Sequence, residues 1–240
     1  MATLLTIKAT LDYTKPAVWR RLAVPDTLTF WELHFALQIA FGWKNSHLFE
    51  FRTGRGSTTD FLTGSPPVGP GSADYLPEWW RDPRQATLAN ILTAPKAKVS
   101  YVYDMGDNWE HTLVVEKLEP LPTPPPLVRC LAGRRAGPPE DSGGIPGYYQ
   151  LLDVLAEKAA GQRKRLPSEF AGLSKYDPDD AELPSVNKHL ASLPAIVAHE
   201  DVLLAAHSAL AAALPRPARP TGDAILAALR ARSGPAASPE

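Results

Sequence analysis

The sequence has little cysteine, little net charge and no long apolar run, and each shortage excludes a class of protein. Cys130 is the single cysteine among 240 residues, so no disulfide can form within the chain, which fits a reducing compartment. No apolar run approaches the roughly 18 residues of a membrane span. No basic segment followed by an apolar core resembles a signal peptide. We therefore expect a cytoplasmic protein with no membrane partner.

The charge balance argues against a protein that attracts nucleic acid with its whole surface. There are 25 basic and 26 acidic residues, which gives a net charge of −1 and a pI of about 6.6. A general basic field is excluded, although local basic clusters remain open. Proline is abundant instead, with 25 residues, so we expect many turns, extended linkers and helix boundaries.

The spacing of apolar residues predicts an α+β fold, with a mixed or mainly antiparallel sheet packed against two main helices and a C-terminal helical extension. Period-two alternation predicts strands, and apolar positions three and four apart predict helices. Thr29 and Glu32 form a capping box at the start of the first helix. The predicted strands span residues 4–11, 18–24, 46–53, 99–103 and 109–118, and the predicted helices span 30–41 and 148–160.

Two segments differ in composition from this core. Residues 54–85 are rich in glycine, proline and serine and predict a long loop. From Pro194 onward, alanine and leucine dominate. We therefore divide the chain into an α+β domain of residues 1–193 and an alanine-rich helical extension of residues 194–240 with a frayed C-terminus. Within the extension, helices are predicted over residues 199–214 and 221–232.

A cluster of polar residues lies at the predicted turn of the hairpin 99–118. Asp104, Asp107 and His111 offer two carboxylates and an imidazole, a set of ligands that can bind a divalent cation. The alternative is structural: the carboxylates bond to turn amides, Gly106 supplies a positive φ, and His111 is partly buried on an apolar face. We favour the structural interpretation and keep the metal site as the second.

The predicted loop between the hairpin and the second helix is the better candidate for function. Its charged residues are Arg129, Arg134, Arg135, Glu140 and Asp141. Guanidinium groups beside glycine-rich backbone suit a phosphate or carboxylate ligand. Alternatively, the arginines pair with the two acidic residues and with Asp104 and hold the loop on the hairpin. Both interpretations remain open, and in either case we expect the loop to lie close to the hairpin turn.

Five stretches, in this order along the chain, resemble one known family. They read PAVWRRLAVP (16–25), LTFWELHFALQIAFGWKNSHLFEF (28–51), YVYDMGDNWEHTLVVEK (101–117), CLAGRRAGPPEDSGGIPGYYQLL (130–152) and YDPDDAELPSVNKHL (176–190). These blocks resemble the plasmid pRiA4b ORF-3-like proteins, a family that also contains insertion-element passenger proteins labelled resolvase-type. The resemblance covers roughly residues 3–193. It implies little about function, because the family has no assigned activity.

The chain departs from that family at positions that thiol or metal chemistry would use. Family members often carry further cysteines where this chain has Gly137 and Ser142, and a histidine where it has Phe49. These departures weigh against thiol or zinc chemistry, and we expect Cys130 to be buried and unreactive. We identify no serine-recombinase catalytic block in the sequence.

Three functions remain, and the first is favoured. A non-enzymatic binding or interaction module, with a protein or nucleic-acid partner and a link to mobile elements, predicts polar groups bonded to one another and no open cavity. A metal-assisted enzyme acting on a phosphate-containing substrate predicts a cleft where three or more polar side chains converge. Its candidate ligands and bases are Asp104, Asp107, His111, Glu140 and Asp141. The third function is nucleic-acid binding through the local arginines. Whether the chain is an enzyme stays open.

Overall fold

A computed structural model describes residues 2–54, 60–63 and 80–213 and has an eight-stranded sheet with helices, the α+β class that the sequence predicts. The strands are β1 (Thr3–Leu11), β2 (Val18–Pro25), β3 (Phe49–Thr53), β4 (Asp60–Thr63), β5 (Trp80–Arg81), β6 (Lys98–Tyr103), β7 (Trp109–Pro120) and β8 (Arg129–Arg134). The α-helices are α1 (Phe30–Phe41), α2 (Gly144–Ala159), α3 (Leu183–Leu190) and α4 (Leu193–Ala213), and short 3-10 segments lie at Leu88–Asn90 and Ser168–Leu173.

The sheet is mainly antiparallel, as predicted. Its strand order is β5-β4-β3-β6-β7-β1-β2-β8, and the parallel pair is β4 with β5. Strand β1 lies inside the sheet and pairs along its length with β2 and β7, so that Leu5 is opposite Val24 on one side and Leu118 on the other. Alternate side chains of β1, from Leu5 to Leu11, are buried and form one line of the core.

Helix α1 is an interior element. The capping box predicted from the sequence is present: the Thr29 side chain accepts from the Glu32 N–H at 3.2 Å, and Glu32 accepts from the Thr29 N–H at 2.7 Å. Ten of the twelve helical residues are buried, so packing surrounds the helix on most sides. Gly42, with a φ of 82°, ends the helix in the left-handed conformation and turns the chain back toward β3.

Several predicted boundaries are wrong. β3 begins at Phe49, three residues later than predicted, and β4 and β5 lie within the span predicted as a long loop. Residues 55–59 and 64–79 of that loop lie outside the described residues, as does the helix predicted over 221–232. The strands escaped prediction because β4 and β5 are short and form by pairing with β3 and with each other, not by local alternation.

The predicted loop of residues 129–147 also contains regular structure. β8 pairs with β2, so its glycine-containing segment gains a ladder of backbone hydrogen bonds that local propensity does not predict. The side chain of Asn187 in α3 extends this ladder, because it accepts from the Cys130 N–H at 2.8 Å and donates to the Cys130 carbonyl oxygen at 2.9 Å. Helix α2 begins at Gly144, four residues before the predicted start.

The contacts within the chain divide it into units of residues 1–197 and 198–240, and α4 begins in the first. The division predicted between an α+β domain of residues 1–193 and a helical extension of residues 194–240 stays a prediction. Across the described ranges, no helix combines the length and the apolar character needed to cross a membrane.

A buried hydrogen-bond network fixes α1 to the sheet. Nδ1 of His34 lies 2.9 Å from the Tyr101 hydroxyl, and Nε2 lies 2.8 Å from Oδ1 of Asn45. The Gln38 amide donates to the same hydroxyl at 3.0 Å and accepts from the Asn45 N–H at 2.9 Å. Every member has a partner, as a buried polar network requires. The His34 ring also stacks on Phe49, with centroids 3.6 Å apart.

Acidification is expected to destabilise this core. Burial lowers the pKa of His34 and of His111 from 6.5 to about 3. Between those values the unfolded chain binds more protons than the folded chain, so the free energy of unfolding falls as the pH falls. Each histidine contributes a slope of up to about 1.4 kcal/mol per pH unit. Urea unfolding measured at several pH values between 7 and 5 would give the slope.

The variant His34→Gln isolates one of these contributions. It removes the buried imidazole, so the pH slope should fall by up to about 1.4 kcal/mol per unit, whatever happens to the stability at pH 7. The matched control is His189→Gln, which removes an exposed histidine of α3 and keeps both buried imidazoles, so the slope that they cause should remain. An unchanged slope for His34→Gln would show that His34 is not held neutral by burial.

Candidate functional site

The turn between β6 and β7 is built by the carboxylate of Asp104. Its Oδ1 accepts hydrogen bonds from the N–H groups of Gly106 at 2.8 Å and Asp107 at 3.2 Å. The positive φ predicted for Gly106 is wrong: Asp104 has a φ of 58°, and aspartate tolerates this left-handed conformation when its side chain bonds locally. One carboxylate oxygen therefore forms the turn, and Oδ2 faces another segment of the chain.

His111 lies in the core and not at the turn. Three aromatic side chains surround it: Phe41, Trp43 and Tyr101. The side chain is 0% exposed, and its Nδ1 lies 3.0 Å from the carbonyl oxygen of Trp109. Alternation along β7 places His111 on the inward face, which it shares with Leu113. The histidine therefore acts as a neutral core residue.

A short loop after α1, residues 42–48, receives the segment of residues 137–143, here called the acidic loop. The indole N–H of Trp43 donates to the carbonyl oxygen of Pro138 at 2.9 Å. The same indole stacks on the ring of Tyr103 at the end of β6, with centroids 4.9 Å apart. Trp43 thus joins the acidic loop to the sheet.

Glu140 of the acidic loop is bonded through both carboxylate oxygens. Oε1 accepts from the hydroxyl of Tyr103, and Oε2 accepts from the N–H of Lys44 at 3.1 Å. The Tyr103 oxygen in turn accepts from the N–H of Ser46 at 3.0 Å. Burial, reinforced by the bond to Glu140, raises the pKa of Tyr103, so the phenol stays protonated and donates. Glu140 therefore connects three segments: the acidic loop, the end of β6 and the loop after α1.

The hairpin turn and the acidic loop touch, as the sequence predicts. Oδ2 of Asp107 accepts from the N–H of Gly143 at 3.0 Å, just before α2 begins. A carboxylate at this end of a helix is favoured by the helix dipole. The backbones are also close: a side chain at Gly144 would put its Cβ 2.6 Å from the carbonyl oxygen of Asp107. Asp107 therefore anchors the start of α2.

Three possible metal ligands meet where these loops converge. Nε2 of His47 lies 2.9 Å from Oδ1 of Asp141 and 3.6 Å from Oδ2 of Asp104, and the three atoms lie within 4.8 Å of one another. We call this set the His47 cluster. The sequence named Asp104 and Asp141 as site residues but paired Asp104 with Asp107 and His111. Among the described residues, the fold brings together a different trio, because His111 points into the core and Asp107 caps α2.

The arginines do not pair as the structural interpretation expected. Nη1 of Arg135 contacts Oδ1 of Asp179 at 2.8 Å, whereas the acidic residues of the loop are bonded to other groups. Arg129 and Arg134 are exposed on β8. The expected pairing of these arginines with Glu140, Asp141 and Asp104 is wrong, because a third segment, residues 177–182, supplies the carboxylate for Arg135.

Arg20 is not among the predicted site residues, but it holds this region together. It is 2% exposed and donates to the carbonyl oxygens of Ala40 at 2.7 Å, Arg135 at 2.8 Å and Trp19 at 2.9 Å. Burial lowers its pKa. Its five donors let one side chain serve several carbonyls at once, which joins the end of α1 to the segment after β8.

Cys130 is buried, as expected. It is 3% exposed, and burial raises the pKa of its thiol, which disfavours the reactive thiolate. Its Sγ lies 3.4 Å from the carbonyl oxygen of Ala132. These features fit a structural cysteine.

An open cleft of about 350 Å³ lies beside the acidic loop, and we call it the acidic cleft. One wall is the acidic loop, and the facing wall comes from residues 173–186. Its charged lining residues are Arg20, Lys44, Glu140, Asp177, Asp180 and Glu182. The expectation of no open cavity is wrong. Of the eight site residues predicted from the sequence, Glu140 alone lines this cleft, so the described residues lack the convergence that the enzyme hypothesis predicts there.

Known proteins resemble this chain over most of its length. The profile of a family described as "Plasmid pRiA4b ORF-3-like protein" matches residues 3–185. The uncharacterised protein y4hQ of Sinorhizobium fredii is 36% identical over 200 residues, which cover 81% of this chain and 94% of that protein. A crystal structure of MM3350, a protein of unknown function from Methanosarcina mazei Go1, matches with a TM-score of 0.62 and 29% identity, covering 77% of this chain and 97% of that one.

The contact of the acidic loop with α1 predicts a strict requirement for glycine at position 137. A Cβ there would lie 2.0 Å from the carbonyl oxygen of Phe41, a backbone atom that cannot rotate away. Gly137→Ala should therefore lower the free energy of unfolding by about 1–3 kcal/mol, as overpacking does. Chemical denaturation with urea would measure the loss.

Gly172→Ala is the matched control for that substitution, because a Cβ at Gly172 meets nothing within 4 Å. Its effect should stay within about 0.5 kcal/mol, as at other surface positions. Equal stabilities of the two variants would contradict the close packing of the acidic loop on α1.

Proposed function

The chain belongs to the plasmid pRiA4b ORF-3-like family, and from this premise we propose that it is a non-enzymatic binding module that holds a basic segment of a protein partner in the acidic cleft. The charge of the cleft carries this proposal: four carboxylates line it against two basic side chains. A segment with lysine or arginine complements that charge.

The basic residues of the cleft do not cancel its acidic character. Arg20 is buried and directs its donors at backbone carbonyls, so its charge is used within the fold. Lys44 is exposed, and its backbone N–H, not its side chain, bonds to Glu140. The rim therefore presents more negative than positive charge to a ligand.

Three carboxylates of the facing wall are placed to meet a ligand. Asp177, Asp180 and Glu182 are exposed. Oδ1 of Asp177 accepts from the N–H of Asp179 at 2.9 Å, and Oδ1 of Asp180 accepts from the N–H of Glu182 at 2.7 Å. These bonds fix the direction of the Asp177 and Asp180 carboxylates, and both residues are exposed to solvent. Such preorganisation lowers the entropic cost of binding.

The apolar part of the lining suits the stem of a long basic side chain. Leu173, Tyr176, Val186 and the two prolines 138 and 139 provide it. Lysine and arginine pack their methylene groups on apolar surface and keep the charged end at the polar rim. The Tyr176 hydroxyl donates to the carbonyl oxygen of Gly137 at 3.0 Å and keeps this wall in position.

The state of the polar groups supports binding over catalysis. Glu140 is bonded through both oxygens, His111 is a neutral core residue, and the Cys130 thiol is buried with a raised pKa. A catalytic base or nucleophile needs access to substrate and a pKa suited to its task. These three groups are used by the fold itself.

Two parts of the sequence-based hypothesis stay predictions. The association with mobile elements has no counterpart in the properties of the described residues. Nucleic-acid binding through the local arginines also stays a prediction, because Arg135 is paired with Asp179 whereas Arg129 and Arg134 are exposed on β8.

Neutralising the facing wall should weaken the binding of a basic peptide. The probe is a fluorescein-labelled peptide of alternating lysine and alanine, with fluorescence anisotropy measured at low ionic strength. In the triple variant Asp177→Asn, Asp180→Asn, Glu182→Gln, we expect affinity to fall about tenfold, since exposed charge pairs contribute about 0.5 kcal/mol each.

A second triple variant tests whether the effect belongs to the cleft. Asp153→Asn, Glu119→Gln, Glu169→Gln makes the same change in net charge at residues that do not line the cleft. This variant should bind the peptide as the unmodified protein does. Equal weakening in both triple variants, or no peptide binding by the unmodified protein, would refute the proposal. Tighter binding of a DNA duplex than of the peptide would favour the nucleic-acid alternative.

A further inference from the structure

We propose that His47, Asp104 and Asp141 bind a divalent transition-metal ion through Nε2, Oδ2 and Oδ1, respectively. This inference does not depend on the proposed peptide-binding function, since none of the three residues lines the acidic cleft. They come from three separate segments: the loop after α1, the residue that follows β6, and the acidic loop. The fold brings their ligand atoms within 4.8 Å of one another.

The distances between the atoms fit a shared cation. Ligand atoms bound at about 2.0–2.2 Å from a metal lie about 3 Å apart at adjacent octahedral positions and about 3.5 Å apart in a tetrahedron. Nε2 of His47 is 2.9 Å from Oδ1 of Asp141 and 3.6 Å from Oδ2 of Asp104. The first separation is close to an octahedral edge and the second to a tetrahedral edge, so small side-chain shifts would let each pair share an ion.

An incompletely bonded carboxylate oxygen is the second observation that points to a ligand. The Asp104 side chain is 9% exposed, and its Oδ1 is used by two turn amides. Across the described residues no hydrogen bond reaches Oδ2, whose nearest basic group is the Nε2 of His47 at 3.6 Å. With the imidazole at ion-pair distance only, this oxygen keeps lone pairs free for a further partner. A cation held between Oδ2 and the imidazole would supply that partner.

The Asp104 ligand is oriented before any ion binds. The two amide bonds to Oδ1 set the orientation of the Asp104 carboxylate. The bonds of Glu140 to Tyr103 and Lys44 hold the residue next to Asp141. Outer contacts of this kind orient the ligands of metal sites and raise affinity. The Asp104 carboxylate therefore needs little ordering when an ion binds.

The donor set selects the class of metal. One imidazole with two carboxylates suits Zn²⁺, Mn²⁺, Co²⁺ and related ions, whereas Ca²⁺ and Mg²⁺ prefer oxygen ligands throughout. The Asp141 side chain is 72% exposed and that of His47 31%, so solvent reaches the site and water can complete the coordination. Three protein ligands with open positions are the arrangement in which a metal can also accept an external ligand.

The competing explanation is an ion pair in which a proton on Nε2 of His47 serves both carboxylates. It predicts the same distances but no affinity for metal. Co²⁺ distinguishes the two, because its visible absorption reports coordination by the protein. The chelator-treated full chain, without a histidine tag, would be titrated with CoCl₂, and Zn²⁺ would then be added as competitor. We expect saturation at one equivalent and displacement by Zn²⁺.

Three single variants remove one ligand each: His47→Gln, Asp104→Asn and Asp141→Asn. Each should weaken Co²⁺ binding at least about tenfold, since even the loss of an outer contact commonly costs that much. In Asp104→Asn the amide oxygen can still accept from Gly106 and Asp107, so the turn should persist. Asp141 is exposed, so its variant should fold whatever becomes of the turn, and circular dichroism would verify this.

Matched controls are His189→Gln and Asp179→Asn, at exposed residues outside the cluster. Both should bind Co²⁺ as the unmodified protein does. Absence of stoichiometric binding by the unmodified protein would leave the ion pair as the explanation and overturn the proposal. The proposal would also be overturned if the control variants lost Co²⁺ binding and the three ligand variants kept it.

Discussion

The close approach of Gly137 to the carbonyl group of Phe41 is the contact on which the rest of the site depends. Because glycine has no Cβ, the acidic loop reaches the backbone at the end of α1. Gly42 turns the chain at this point, so Trp43 can donate to Pro138 while its ring packs on Tyr103. Both anchors precede Glu140 and Asp141, and together they set where those carboxylates lie.

Elements whose cause is local were predictable from the sequence. The capping box of Thr29 and Glu32, the alternation of β1 and the turn at Asp104 follow from residues close together in the chain. Strand β8 was not predictable, because it depends on the edge of β2 and on Asn187, which is 57 residues from Cys130. The start of α2 depends in the same way on the carboxylate of Asp107, 36 residues from Gly143.

In the candidate site too, features with a local cause were predictable from the sequence, and long-range contacts were not. Polar density drew attention to Asp104, Glu140 and Asp141, and these residues do meet at the junction of the hairpin and the acidic loop. Their partner His47 is not among the predicted site residues, because it is 94 residues from Asp141 in the sequence. The pairing predicted for the arginines was wrong, because their charge suggested partners nearby in the sequence, whereas the partner of Arg135 lies 44 residues away. Composition finds the residues of a site, whereas long-range packing decides which of them touch.

The acidic cleft and the His47 cluster meet at one peptide bond. Glu140 lines the cleft, and the next residue, Asp141, contributes to the cluster. A ligand in the cleft and an ion in the cluster would therefore both contact the acidic loop. Coupling between two sites is reciprocal, so an ion that fixed Asp141 and favoured peptide binding would itself bind more tightly in the presence of the peptide. The bonds of Glu140 to Tyr103 and Lys44 limit this coupling, because a loop already held in position has little freedom left for either ligand to remove.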